Sequence, residues 1–179
     1  MSTLIANTLQ GINTVKRDAS TTAININSSG VPTFPAKPVF RVSYGTGGGW
    51  VSAGGNNVNK ILEFSTASVN VGGNWSTSTH DFTVPVAGTY FFYAQAYFNS
   101  NNDNRELRIQ RTFAGGGTDY VHTIINAMES GRDQSVTLSD IYTLAVGDKV
   151  DFYFRVASSG TNDVYARDDY TWGMGYLIG

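Results

Sequence analysis

Asp81–Phe98 reads DFTVPVAGTYFFYAQAYF, and its second half decides the fold. A turn built on Pro85 and Gly88 leads into a run that is almost wholly apolar or aromatic. That run is too short to cross a bilayer as a helix, which takes about 20 residues. Aromatic enrichment directly after a Pro/Gly break favours a buried strand over a core helix. Along such a strand Tyr90, Phe92, Ala94, Ala96 and Phe98 share one face, and Phe91, Tyr93, Gln95 and Tyr97 share the other. A strand with one wet face would alternate apolar with polar residues. Here both faces carry aromatics, whereas a two-layer sandwich gives each sheet a single inner face. The second face is therefore expected to meet another subunit. Phe91, Tyr93 and Tyr97, with Tyr153 from a later strand, are the candidate interface residues. Burial of both faces within one subunit is the alternative.

Strand patterns recur at short intervals from Val39 onward, the rhythm of a sandwich or barrel. Phe40, Val42 and Tyr44 alternate with Arg41 and Ser43, and Leu62 pairs in phase with Phe64. Val69 and Val71, Leu107 and Ile109, and Val121, Thr123, Ile125 and Ala127 mark further strands. Ser135–Leu144 is another, with a slip near Ile141 and Tyr142 that predicts a bulge. Val150, Phe152, Phe154 and Val156 alternate with Asp151, Tyr153 and Arg155, and TWGMGYLIG closes the chain as a last strand. The reading is about eight to ten strands and no helix. An antiparallel sheet protein of this size must hide its edges, which jelly rolls and barrels do. No internal repeat is visible, so a propeller or solenoid is disfavoured.

Composition agrees. Only 15% of the 179 residues are charged, against about 25% in typical domains, and strong helix formers are sparse. A net charge of −2 gives no electrostatic basis for binding nucleic acid or inserting into an anionic membrane. Absence of cysteine excludes disulfides and thiolate metal sites. The opening MSTLIANTLQ lacks the basic start and long apolar core of a signal peptide, so synthesis in the cytoplasm is expected.

Residues 1–38 differ from the rest of the chain. LIANTLQGI and TAININ are their apolar stretches, and Pro32, Pro35 and Pro38 sit in the closing SSGVPTFPAKP. Proline fixes φ and biases its predecessor to extended geometry, which predicts a stiff extended linker. The segment has too little core material to fold alone, leaving a disordered tail or an arm ordered on a partner. In the second case Leu4, Ile5, Leu9, Ile12, Ile24 and Ile26 are the residues it would bury.

Asn70–Phe92, NVGGNWSTSTHDFTVPVAGTYFF, resembles the signature of the complement C1q globular head, a tumour-necrosis-factor-like jelly roll. The matching positions are Asn70, Gly72, Gly73, Trp75, Phe82, Pro85, Gly88, Tyr90 and Phe92. Leu144, Gly147, Asp148 and Val150 follow a second pattern of that family, and Gly175, Tyr176, Leu177 and Ile178 a third, so the likeness spans residues 39–179. One position departs: where the family has an aromatic residue, this chain has Gly173, and neighbouring Trp172 is expected to fill the space. The resemblance implies an all-β, ten-stranded antiparallel jelly-roll sandwich that assembles as a homotrimer. The N-terminal MSTLIANTLQ and TTAININSSGVP resemble the opening of virion proteins of tailed bacteriophages, particularly marine ones. That likeness implies a particle component made in the host bacterial cytoplasm and released by lysis.

No catalytic constellation emerges. His80 and His122 lack partners in the sequence, and no nucleophile elbow, phosphate loop or helical zinc motif is present. GTGGG and AGGGT lack the lysine and helix start of a phosphate cradle. Some members of the family bind calcium through loop carboxylates, but Asp163, Asp168 and Asp169 lack calcium-loop spacing and read as solvated turn residues. No cofactor is expected. Two functions remain: a trimeric, non-enzymatic virion structural protein anchored by its arm to capsid or tail, and a receptor-binding module that contacts a host-surface glycan or protein. For the second, the loops Gly45–Asn57, Asn99–Asn104 and Ala114–Asp119 supply or flank the candidate contacts Trp50, Asn56, Asn101, Asn102 and Tyr120.

Overall fold

The structure is a computed structural model and describes residues 14–16, 22–99, 104–125, 133–157 and 163–179. The chain divides into two units between Lys37 and Pro38. In the first unit β1 (Thr14–Lys16), β2 (Thr22–Ile26) and β3 (Pro32–Thr33) form an antiparallel sheet in that order. The Asn27 side-chain Oδ1 accepts the N–H groups of Ser29 and Val31 at 3.0 and 2.9 Å, and Gly30 adopts a φ of +78°. A side-chain acceptor and a left-handed glycine are what a tight reversal needs. The proline-rich stretch therefore begins with an extended strand that pairs back on β2. Pro32 is tolerated because β3 is an edge strand.

The second unit holds β4 (Val39–Ser43), β5 (Trp50–Val51), β6 (Lys60–Ile61), β7 (Thr66–Val71), β8 (Trp75–Ser76), β9 (Asp81–Thr83) and β10 (Gly88–Phe98). After these come β11 (Arg105–Thr112), β12 (Thr118–Ile125), β13 (Gln134–Leu144), β14 (Lys149–Val156), β15 (Val164–Tyr165) and β16 (Trp172–Leu177). All their pairings are antiparallel. In a seven-stranded sheet β10 has β13 on one side and β16, β4 and β7 on the other, with β15 and β5 continuing past the end of β16. The second sheet has six strands in the order β12-β11-β14-β9-β8, with β6 also on β14. This is a jelly-roll sandwich without helices among the described residues. Among the described residues its two sheets hold 13 strands. Four of them are two-residue pairings at 50–51, 60–61, 75–76 and 164–165, too short to leave a period-two pattern.

The inward face of β10, Tyr90 to Phe98, is fully buried. Phe40 lies between Trp75 and Phe82 with ring centroids 5.1 and 4.9 Å away, and Phe152 stacks on Trp75 at 6.0 Å. Two glycines let this aromatic core reach the backbone. A Cβ on Gly173 would lie 2.8 Å from the Phe152 ring, and one on Gly175 would lie 2.6 Å from that of Phe92. The rings of Phe152 and Phe64 thus close over Gly173. Trp172 points the other way, which corrects its expected role as filler. The predicted bulge in β13 is also absent: Gln134–Leu144 pairs with β10 without a register break. Tyr142 faces inward and Ile141 outward, so an apolar residue on the outer face had mimicked a slip.

The signature residues hold turns. Asn70 accepts the Trp75 N–H with Oδ1 at 3.0 Å and donates Nδ2 to the Trp75 carbonyl at 3.1 Å, spanning the left-handed Gly72 and Gly73. The Tyr90 hydroxyl donates to the Val86 carbonyl at 2.7 Å, pinning the turn that opens β10. Buried Asp148 accepts the N–H groups of Ala114 and Ala145, both at 2.9 Å, and so ties two loops together.

Candidate functional site

The outer face of the seven-stranded sheet carries the chain's main concentration of outward aromatics. Antiparallel register places Phe91 opposite Tyr176, Tyr93 opposite Met174 and Gln95 opposite Trp172. Phe91 packs on Tyr176 at 5.4 Å between centroids and Tyr93 on Trp172 at 4.9 Å. The Arg41 guanidinium lies 4.9 Å from the Trp172 ring and donates to Ser68 Oγ and the Asp168 carbonyl. Beside Phe91, Ile141 of β13 is 56% exposed, and Tyr176 is 37% exposed. These side chains are covered only in part by one another.

Tyr97 belongs to a second group at the far end of β10. Phe98 pairs with Val164, and Tyr165 with Trp50, so Tyr97, Tyr165 and Trp50 face outward across three neighbouring strands. Trp50 and Tyr165 are 5.0 Å apart, Tyr97 and Tyr170 4.8 Å, and Tyr165 and Tyr170 5.3 Å. With Asp133 and Arg167 they line a pocket of about 200 Å³. Burial and the nearby Asp133 carboxylate, to which Tyr97 is hydrogen-bonded, raise the Tyr97 phenol above its ordinary pKa.

Tyr153 does not join Phe91, Tyr93 and Tyr97. It lies on β14 of the six-stranded sheet, between Arg108 of β11 and Ile61 of β6, and so on a different sheet from those three. Alternation within one strand assigns a face but cannot say to which sheet the strand belongs. The loop candidates are likewise divided. Trp50 lies in the seven-stranded sheet, Tyr120 on β12 of the other, and Asn56 in the exposed connection after β5. They do not form one site. Asn101 and Asn102 lie outside the described residues, as do Leu4, Ile5, Leu9 and Ile12. Ile24 and Ile26 are half-buried on β2.

Tyr120 takes part in a charged cluster on the outer face of the six-stranded sheet. The Arg108 guanidinium lies 3.9 Å from its ring and bonds Glu106 at 2.7 Å. Arg155 bonds the same carboxylate at 2.7 Å, and His122 Nδ1 lies 3.3 Å from it. Burial alone would raise the Glu106 pKa, but hydrogen bonds and charges from Arg108 and Arg155 hold it below the ordinary value. His80, the other histidine, has a φ of +59° and sits with Nδ1 3.3 Å from the Phe64 carbonyl. Asp163 is buried and accepts the Ala53 N–H at 2.7 Å, which corrects the solvated role expected for it, while Asp169 pairs with Arg167 at 2.9 Å. Among the described residues no three carboxylates or histidines converge as metal ligands, and no helix is long and apolar enough to cross a membrane.

The second unit is a jelly-roll sandwich whose turns are tied by Asn70, Tyr90 and Asp148. The C1q domain model matches residues 51–178, and the chain belongs to the C1q domain family. The globular domain of zebrafish complement 1qA protein is 20% identical, covers 80% of this chain and 98% of its own, and superposes with a TM-score of 0.59. Murine APRIL at pH 8.5 is 13% identical, covers 79% of this chain and 99% of its own, and gives 0.60. Eiger TNF from S. frugiperda is 14% identical, covers 80% of this chain and 94% of its own, and also gives 0.60. These likenesses concern the fold. A comparison with curated proteins found no match.

Residues missed in the sequence are Trp172, Tyr176, Tyr165 and Tyr170. For the first two a signal was present: in WGMGYL every second residue is glycine up to Gly175, so Trp172, Met174 and Tyr176 had to share the opposite face.

Proposed function

We propose that this chain is a non-enzymatic virion protein of a bacteriophage, a homotrimer anchored to capsid or tail by its N-terminal unit and displaying the jelly roll outward. The observation that carries the trimer is the outer face built from Phe91, Tyr93, Trp172, Tyr176 and Ile141. An apolar and aromatic sheet face left half-open in a single chain is stabilised by covering it. The phage context rests on the N-terminal likeness, and anchoring on the apolar residues of that unit, where Val15, Val31 and Phe34 are also exposed.

Sedimentation velocity tests the assembly. The full chain at micromolar concentration is expected to run at three times its 19.3 kDa mass. Tyr93→Arg, which places a second cation beside Arg41 and Trp172, is expected to shift it to monomer with its circular dichroism retained. A wild-type chain that stays monomeric refutes the proposal. Deleting residues 1–37 is expected to leave the trimer and abolish incorporation into particles. A host-surface receptor role is the second reading, favoured by the aromatic pocket at Trp50.

A further inference from the structure

We propose that the pocket walled by Trp50, Tyr97, Tyr165 and Tyr170, with Asp133 and Arg167 on its polar side, binds a single pyranose ring of a host-surface glycan. This deepens the receptor reading and rests on it. Sugar rings present C–H groups on their flat faces and hydroxyls at their edges, so a site for one needs aromatic faces flanked by both donors and acceptors. The pocket has both. Three ring pairs meet edge to face, with interplanar angles of 60° for Trp50–Tyr165, 67° for Tyr97–Tyr170 and 89° for Tyr165–Tyr170, while Trp50 and Tyr97 stack at 30° with centroids 6.4 Å apart. Such contacts brace one another, so the wall is formed before a ligand arrives.

Charge selects among ligands. Asp133 supplies an anionic acceptor and Arg167 a cationic donor, so the pocket offers both partners to a hydroxyl-bearing ligand, and the pairing of Arg167 with Asp169 disfavours a net anion. A quaternary cation would need an unoccupied aromatic face, but the Arg167 guanidinium already lies 5.3 Å from the Tyr170 ring. Asp169 holds that guanidinium at 2.9 Å and so fixes its direction. A neutral, polyhydroxylated ring can accept from the arginine and donate to the carboxylate. The volume of about 200 Å³ lies below the ~300–1,000 Å³ of pockets for larger ligands and suits one hexose ring. Tyr97 is four residues from Tyr93, about 13 Å along the strand, with Gln95 and its partner Trp172 between them.

Saturation-transfer NMR on the full chain tests this, with methyl pyranosides of glucose, galactose, mannose, rhamnose and N-acetylglucosamine as probes. At least one is expected to receive saturation, and Trp50→Ala to weaken its binding about tenfold or more. Because Trp50→Ala removes a large ring from a strand, Asp133→Asn serves as the isosteric second variant and is expected to weaken the same sugar with melting temperature unchanged. Saturation transfer from none of the sugars overturns the proposal, as does binding that survives both substitutions. Host-cell adsorption measured in parallel separates the two ideas. A chain that binds cells but no sugar keeps the receptor reading and loses this pocket, and one that binds neither loses both.

Discussion

Gly175→Ala tests most directly whether β16 is seated on the aromatic core as described. The added Cβ would lie 2.6 and 2.7 Å from Cδ1 and Cε1 of Phe92 and 2.8 Å from Cε1 of Phe40. Neither ring has room to move. Phe92 is 0% and Phe40 1% exposed, and each touches further rings, Phe92 with Tyr142 and Phe40 with Trp75 and Phe82. Forcing an extra methyl group into a filled core costs about 1–3 kcal/mol. Three contacts below 3 Å put this case in the upper part of that range. The lower unfolded-state entropy of alanine returns less than about 1 kcal/mol. A net loss of about 2 kcal/mol lowers the melting temperature of a chain this long by about 4–8 °C. The assay is calorimetry or near-ultraviolet circular dichroism at fixed protein concentration, since self-association makes melting concentration-dependent. Gly115→Ala is the control: no atom lies within 4 Å of the place its Cβ would take, so its melting temperature should not move. A Gly175→Ala variant within about 0.5 kcal/mol of wild type would refute the placement of β16 against Phe40 and Phe92.

Three further substitutions probe the turns and the charged surface. Asp148→Ala leaves the Ala114 and Ala145 N–H groups without their acceptor and should cost about 2–4 kcal/mol in urea denaturation, with Asp148→Asn losing less. Tyr90→Phe removes one hydrogen bond to Val86 and should cost about 1 kcal/mol with the fold unchanged. Burial, and then the negative charge of Asp81, pushes the Asp151 carboxyl up to about 7; Lys149, bonded to Asp81, and the Tyr153 hydroxyl oppose the rise. The folded chain thus keeps a proton that the unfolded chain releases. This contribution to stability is complete below about pH 4 and lost as pH rises through about 7. Melting temperature should therefore fall between about pH 4 and 7, and Asp151→Asn should flatten that fall and raise the value at pH 8; an unchanged pH profile would show that Asp151 does not carry it.

The strand pattern was legible wherever one element supplied several in-phase residues. Tyr90–Phe98 and Val150–Val156 are the clearest cases, because period two with large side chains has one reading. Pairing was not legible. Nothing local tells that Tyr153 and Phe91 stand on different sheets, since sheet membership depends on contacts between distant segments such as β10 with β13 and β14 with β11. The Trp50 pocket was half visible: Trp50 stood out in its glycine-rich loop, but its partners Tyr97, Tyr165 and Tyr170 come from other parts of the chain. Asp163 misled for a related reason. An aspartate among turn residues reads as solvated, but its acceptor role to Ala53 arises only when residues 110 positions apart are brought together.

The two faces of β10 divide the labour between family and function. Phe82, Tyr90 and Phe92 of the signature point inward, and Asn70, Gly72 and Gly73 shape a turn. The C1q domain signature therefore falls on residues that build the scaffold. Phe91, Tyr93 and Tyr97 occupy the intervening positions, where the scaffold asks only for a strand. Solvent would favour polar side chains there, so each aromatic ring on that face has a cost in one isolated chain and a gain only when something covers it. On a single strand, Phe91 and Tyr93 meet the ring pairs with Tyr176 and Trp172, whereas Tyr97 meets the pocket of Trp50. If both groups served self-association alone, Asp133 and Arg167 would be desolvated beside Tyr97 at a cost that sheet contact does not offset. Under the proposed assembly and the proposed sugar site, Tyr93→Arg and Asp133→Asn are predicted to fail in different assays.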